Sequence, residues 1–342
     1  MPPAGVPLVF LAAAGVGLVG FGVALTLVAS TAVVAPNAPA VVAAVHLGML
    51  AFLSTAVLGA MHQFAPVIAA RPLHSTRAAY ATAAVFVPAV WTLALGFATG
   101  NPGVVSAGGA VAFCGIALAV WNLSGPLSAR GKGTTVLGLR LALGFLVLTA
   151  AFGVTYAFDR QASWFGLLPR RVLAHAHLGL LGWLGLAYVA VAEKLWPMFL
   201  LAHRPGSRTG DWAVRLLPTG AAVLAAGLLI PNKPVAVAGG LLAGAGLASH
   251  LASLAGVIRH RRRPLELLHA SPSSPPPPAS PLRSPARPPA PPSSSASAAP
   301  PSPPPASSPS RTSASARSGP PPTTPKAKGA NHDVRPATRR LP

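Results

Sequence analysis

Three histidines stand out in this 342-residue chain by where they fall. His46, His175 and His177 each lie a few residues inside a long apolar run, and an imidazole inside a membrane helix is costly and marks a functional site by default. Each ring has a nitrogen that binds a proton or a metal. Two residues along a helix is a turn of about 200°, so His175 and His177 point to opposite sides and cannot hold the same group. The run that carries them, residues 170–205, is the stretch around which the chain is organised.

What must position these rings is a set of membrane helices. The chain is 52% hydrophobic and only 9% charged, which fits a polytopic membrane protein and no soluble domain of this size. The formal charge of +21 does not signal nucleic-acid binding. Thirteen of the 26 Lys and Arg fall from Arg259 onward, in a Pro/Ser/Ala-rich tail, and most others sit in short loops. The lone Cys114 excludes an internal disulfide and any cysteine-rich metal site. The N-terminus has no positive charge before its apolar run, so the first run is expected to be a retained helix, not a cleaved signal.

Crossing a hydrocarbon core takes about 20 apolar residues. Eight runs qualify, near residues 7–29, 40–63, 79–98, 103–124, 137–158, 172–200, 213–230 and 234–257. The expected fold is an all-α polytopic membrane helix bundle. Arg71, Arg77, Arg130, Lys132, Arg204, Arg208, Arg259 and Arg261 to Arg263 fall on one side, so both termini are expected in the cytoplasm of a bacterial-type plasma membrane. Arg160, Arg170, Arg171 and Lys233 fall on the other side and need a separate reason.

An offset of 131 residues maps one half onto the other. His46-Leu47-Gly48 falls on His177-Leu178-Gly179, Phe21-Gly22-Val23 on Phe152-Gly153-Val154, and Pro66 on Pro197. Asn101 falls on Asn232, Gly96 on Gly227, Gly108 on Gly239 and Gly115 on Gly246. Two four-helix repeats, about 1–130 and 131–257, follow; with an even number of helices they run parallel, related by an axis along the membrane normal. Residues 258–342 read as a disordered cytoplasmic tail.

The repeat makes His46 and His177 equivalents at a common depth of about 10 Å. An axis between the halves brings two neutral imidazoles face to face, as a six-coordinate haem iron requires. Gly48, Gly179 and Gly182 would leave room for a flat macrocycle. The alternative is a pair of helix-packing histidines hydrogen-bonded across the bundle; equal depth and symmetry favour the ligand reading. His175 aligns with Ala44 and has no counterpart. It either serves a second, five-coordinate haem or faces a neighbouring helix or the lipid. Arg171, with Arg170 or Arg160, is expected to pair with haem propionates, since guanidinium groups bind carboxylates bidentately; ordinary juxtamembrane charge is the alternative. Glu193, the equivalent of His62, is followed by Lys194 and reads as snorkelling to the interface; a proton-uptake role for either is the weaker reading. His74, His203, His250, His260, His269 and His332 receive no ligand role.

At these residues the chain resembles the catalytic subunit of the haem-copper oxidase superfamily, closest to the cbb3-type oxidase and nitric oxide reductase branch. His46 with Leu53, Gly59-Ala60 and Pro66 resembles its second helix, and His175-Ala176-His177-Leu178 resembles its late His-x-His helix. The resemblance implies that His46 and His177 hold low-spin haem and that His175 holds high-spin haem. It covers about 60 residues. The family has twelve helices and three further copper-binding histidines; between Arg77 and Arg171 this chain has no histidine, and it has five acids in all. The resemblance therefore implies haem b without copper: a reduced, eight-helix relative engaged in one-electron transfer or diatomic-gas response. It also implies a redox partner protein or a second membrane subunit. A terminal oxidase completed by another chain, and a haem-free transporter or structural protein, are the rival expectations.

Overall fold

The computed structural model describes residues 3–128, 133–166, 168–202 and 208–262. The tail, its histidines His269 and His332, His203, and the loop cations Arg130, Lys132, Arg204 and Arg263 lie outside them. Eight helices are long and apolar enough to cross a membrane: α1 Gly5–Val34, α2 Pro39–Ala69, α3 Thr76–Ala98, α4 Pro102–Leu127, α5 Gly133–Ala162, α6 Pro169–Phe199, α7 Arg208–Leu229 and α8 Lys233–Arg259. No strand occurs among the described residues. The chain is a multi-pass membrane protein. Most helices run a few residues beyond the apolar stretches legible in the sequence.

With eight crossings, the start of α1 and the end of α8 share one face, here called the terminal face. Burial follows the bilayer and not water. Leu8, Val19, Leu27 and Val33 of α1 are 62–84% exposed and turn toward the surroundings. Leu58, Phe86, Leu123, Leu139, Leu186 and Leu217 are fully enclosed.

The two four-helix repeats recur in their atomic contacts. Asn101 accepts hydrogen bonds from Gly103 N (3.0 Å) and Val104 N (3.2 Å), capping α4. Asn232 accepts from Val235 N (3.2 Å) and caps α8 in the same way. Asn101 N donates to Gly96 O, and Asn232 N to Gly227 O, both at 2.9 Å. The aligned glycines are the places where backbones meet. A Cβ on Gly108 would strike Leu93 backbone, and one on Gly239 would strike Leu224. Gly115 lies against Phe86 just as Gly246 lies against Leu217. Small residues of this kind let membrane helices approach closely where no hydrophobic force drives them together. They hold α3 to α4 and α7 to α8.

Between the halves, α4 and α5 are tied by polar bonds. Ser106 Oγ donates to Ala157 O (3.0 Å), and Gln161 Nε2 donates to Pro102 O and to Ser106 Oγ (both 2.9 Å). The other seam runs between α2 and α6. Each of these helices widens to a π-helix directly after its histidine, over Leu47–Ser54 and Leu178–Gly185. The two stretches match at the 131-residue offset, and π-helical turns concentrate at functional sites. At the end of the widened stretch Trp183 Nε1 donates to Ser54 Oγ at 2.9 Å, across the halves and fully buried.

Candidate functional site

The site is assembled from the early turns of α2 and α6, on the face opposite the termini. His46 Nδ1 lies 2.8 Å from Val42 O, and His177 Nδ1 lies 2.7 Å from Leu173 O. A carbonyl only accepts, so Nδ1 carries the hydrogen in both rings. The neutral imidazole then keeps its Nε2 lone pair for another partner, the arrangement common in metal-binding histidines.

The ring that stands across from His46 is His175. Their centroids are 6.4 Å apart and the planes differ by 22°. His175 fits because Gly153 on α5 has no side chain: a Cβ there would lie 3.1 Å from His175 Cε1. Its Nδ1 is buried and has no hydrogen-bond partner. Phe97 stacks on His46 at 5.1 Å, and Tyr156 presents its edge to His175 at 6.0 Å. The guanidinium of Arg160 lies 5.6 Å from the Phe97 ring centre.

The ring that His46 was expected to share a haem with is that of His177, but the ring beside it here is that of His175. His177 shares its helical face with Leu173 and Leu180, which are 49% and 54% exposed. Two-fold symmetry places equivalents together only on the axis; off it, residue i meets j′ while j meets i′. The pairs His46–His175 and Ser54–Trp183 both join residues 129 apart, so both lie off the axis. By the same symmetry the duplicate of the histidine pair is Ala44 with His177, which lacks a second imidazole. Further along the seam, an apolar cavity of about 380 Å³ is lined by equivalents, Val57 with Tyr188 and Ala60 with Val191.

Three other expectations change. Arg171 is engaged in its own turn: Nη1 donates to Phe165 O (2.9 Å) and Gly166 O (2.8 Å), and the guanidinium lies 4.9 Å from the Phe165 ring centre. Tyr156 Oη adds a bond to Arg171 O (3.1 Å). Arg170, by contrast, has a buried Nε without a partner. The room expected at the glycines is filled by side chains of neighbouring helices. Phe21 lies over Gly48, Thr149 over Gly179 and Phe145 over Gly182.

Glu193 does not snorkel. It turns inward to His250 and Ser253, residues to which the sequence reading gave no role. The signal for them was present: an acid in one apolar run, and a His and a Ser three apart in another. His62 is also fully buried, stacked on Phe10 at 5.3 Å, with Nδ1 2.8 Å from Leu58 O and Nε2 unpartnered.

Among the described residues no three His, Cys, Asp or Glu side chains converge as a metal-ion site. Two imidazoles from opposite halves are what the bundle offers. Their ring centroids lie 6.4 Å apart. No family model matches the chain, and no curated protein is significantly similar to it.

Proposed function

We propose that the chain is an integral membrane haem b protein in which His46 and His175 are the two axial ligands, and that it works in one-electron transfer or diatomic-gas response. The observation that carries this reading is the near-parallel pair of imidazoles, one from each half, at 6.4 Å. The Nδ1–H of His46 is committed to Val42 O, which fixes the ring and directs Nε2 as the donor. Gly153 and Tyr156 hold His175 opposite it. Phe97 and Tyr156 flank the pair with aromatic surface, which excludes water. Arg170, with its unpartnered Nε, is the residue available to a propionate. When bound, haem supplies a one-electron couple whose potential depends on axial ligands, burial and nearby charge. Among the described residues no three His, Cys, Asp or Glu side chains converge to hold a copper ion, so turnover of dioxygen or nitric oxide would need another subunit, and a redox partner or second membrane subunit belongs with this reading. Arg71, Arg77, Arg208 and Arg259 on the terminal face support placing that face in the cytoplasm of a bacterial-type plasma membrane.

The test is a reduced-minus-oxidised absorbance spectrum of the purified chain and its variants. His46→Ala and His175→Ala should abolish the low-spin signal, while His177→Ala keeps it. Loss with His177→Ala and retention with His175→Ala would restore the pairing implied by the family resemblance. Absence of a Soret band in wild type would end the haem reading.

A further inference from the structure

A second site lies at the far end of the same helix and is independent of any haem. Glu193 lies six residues before the end of α6 at Phe199, about 9 Å from the terminal face. His250 and Ser253 lie three apart on one face of α8 and meet it. His250 Nδ1 donates to Glu193 Oε1 at 2.8 Å, and Ser253 Oγ donates to Oε2 at 2.7 Å. The carboxylate rests on Gly210 of α7, where a side chain would collide with it. His250 and Glu193 have side chains only 5% and 13% exposed.

The remaining atom is the informative one. His250 Nε2 is buried and has no hydrogen-bond partner. With Nδ1–H given to the carboxylate, the neutral ring presents an unused lone pair at Nε2, backed by a negative charge through the ring. Buried groups of this kind are normally satisfied, so an unsatisfied one next to a carboxylate is a place for a cation that the ring can bind. One nitrogen is too few for a metal ion, and no third metal-binding side chain converges there among the described residues.

We infer that Glu193, His250 and Ser253 form a proton-binding site, loaded from the terminal face. The proton bonds to Nε2, giving an imidazolium beside the carboxylate, and the pair passes from one negative charge to none. Ser253 keeps Oε2 in place in both states. Tyr188, whose ring is edge-on to His250 at 5.4 Å, is the other titratable group in contact. Of the charged groups on the packed helices, Asp211 accepts from Thr134 on α5. Arg140 of α5, Lys194 of α6, Arg208 and Arg215 of α7, and Arg259 of α8 are exposed. The proton therefore belongs to the Glu–His pair as a unit.

The experiment is infrared difference spectroscopy across pH on the full chain in lipid nanodiscs, for wild type, Glu193→Gln, His250→Gln and Ser253→Ala. Wild type should show a carboxylate band and an imidazole band that change together with one midpoint. Glu193→Gln should remove the carboxylate change and move the imidazole midpoint, His250→Gln should remove the imidazole change and the carboxylate change coupled to it, and Ser253→Ala should keep both while moving the carboxylate frequency. Two separate midpoints, or a carboxylate change that survives unaltered in His250→Gln, would overturn the assignment. If Glu193→Gln fails to fold, the His250→Gln and Ser253→Ala pair decides alone. The same measurement in a His46→Ala, His175→Ala background should be unchanged, so failure of the haem reading does not touch this one.

Discussion

The packing of His175 against Gly153 can be perturbed with a control that the repeat itself provides. Gly153 and Gly22 are equivalents at the 131-residue offset, but a Cβ on Gly22 would meet nothing within 4 Å, whereas one on Gly153 would lie 3.1 Å from His175 Cε1. That is a few tenths of an ångström inside ordinary van der Waals contact. The ring must shift by that amount, and it cannot move freely because Tyr156 lies beside it and His46 across from it. Overpacking of this kind costs about 1–3 kcal/mol, roughly a 5- to 150-fold change in an equilibrium constant. Gly153→Ala should thus weaken haem retention by about that factor, measured as Soret absorbance per protein during detergent washing. Gly22→Ala should leave retention unchanged, with a slight gain in stability from an improved helix former, at most about 1 kcal/mol. Equal effects of the two substitutions would refute the claim that Gly153 seats His175. A Gly153→Ala protein that melts normally yet holds haem fully would refute it as well.

Other expectations follow from the same contacts. Trp183→Phe removes the donor to Ser54 and should cost roughly 0.6–1.7 kcal/mol, the range for interhelical hydrogen bonds in membranes; a double-mutant cycle with Ser54→Ala under denaturing-detergent titration measures it, and full additivity would rule the bond out as a stabilising contact. Gly239→Ala should destabilise the chain by about 1–3 kcal/mol through the Leu224 backbone, whereas Gly240→Ala, open on all sides, should not; matching melting curves would contradict the α7–α8 contact. Arg171→Ala frees the carbonyls of Phe165 and Gly166 and should speed amide exchange in the turn before α6 without loss of the Soret band. Haem loss in that variant would reinstate Arg171 as a propionate partner.

Hydropathy alone determined the eight spans, since twenty apolar residues in a row leave a chain few places to go except a bilayer. The common offset likewise exposed the duplicated halves, because the matching Asn and Gly residues are backbone devices: Asn101 and Asn232 cap helices, and Gly108 and Gly239 admit a neighbouring backbone. Such roles depend on local geometry, so they remain visible in residue type. The histidines were identified in the same way, by the cost of placing them in an apolar run.

Which of them face each other was beyond the reach of the sequence. Periodicity fixes the angle between His175 and His177 but not how far α6 is rotated toward α2. That rotation is set by packing: Phe145 fills the gap at Gly182, Gly153 admits His175, and Trp183 reaches Ser54. The inward turn of Glu193 lies beyond the sequence for a related reason. Adjacent Lys194 suggests a route to the interface, yet His250 and Ser253, nearly sixty residues on, offer the carboxylate two hydrogen bonds inside the bundle. Residue type states what a side chain can bind, but only the tertiary structure decides what comes within its reach.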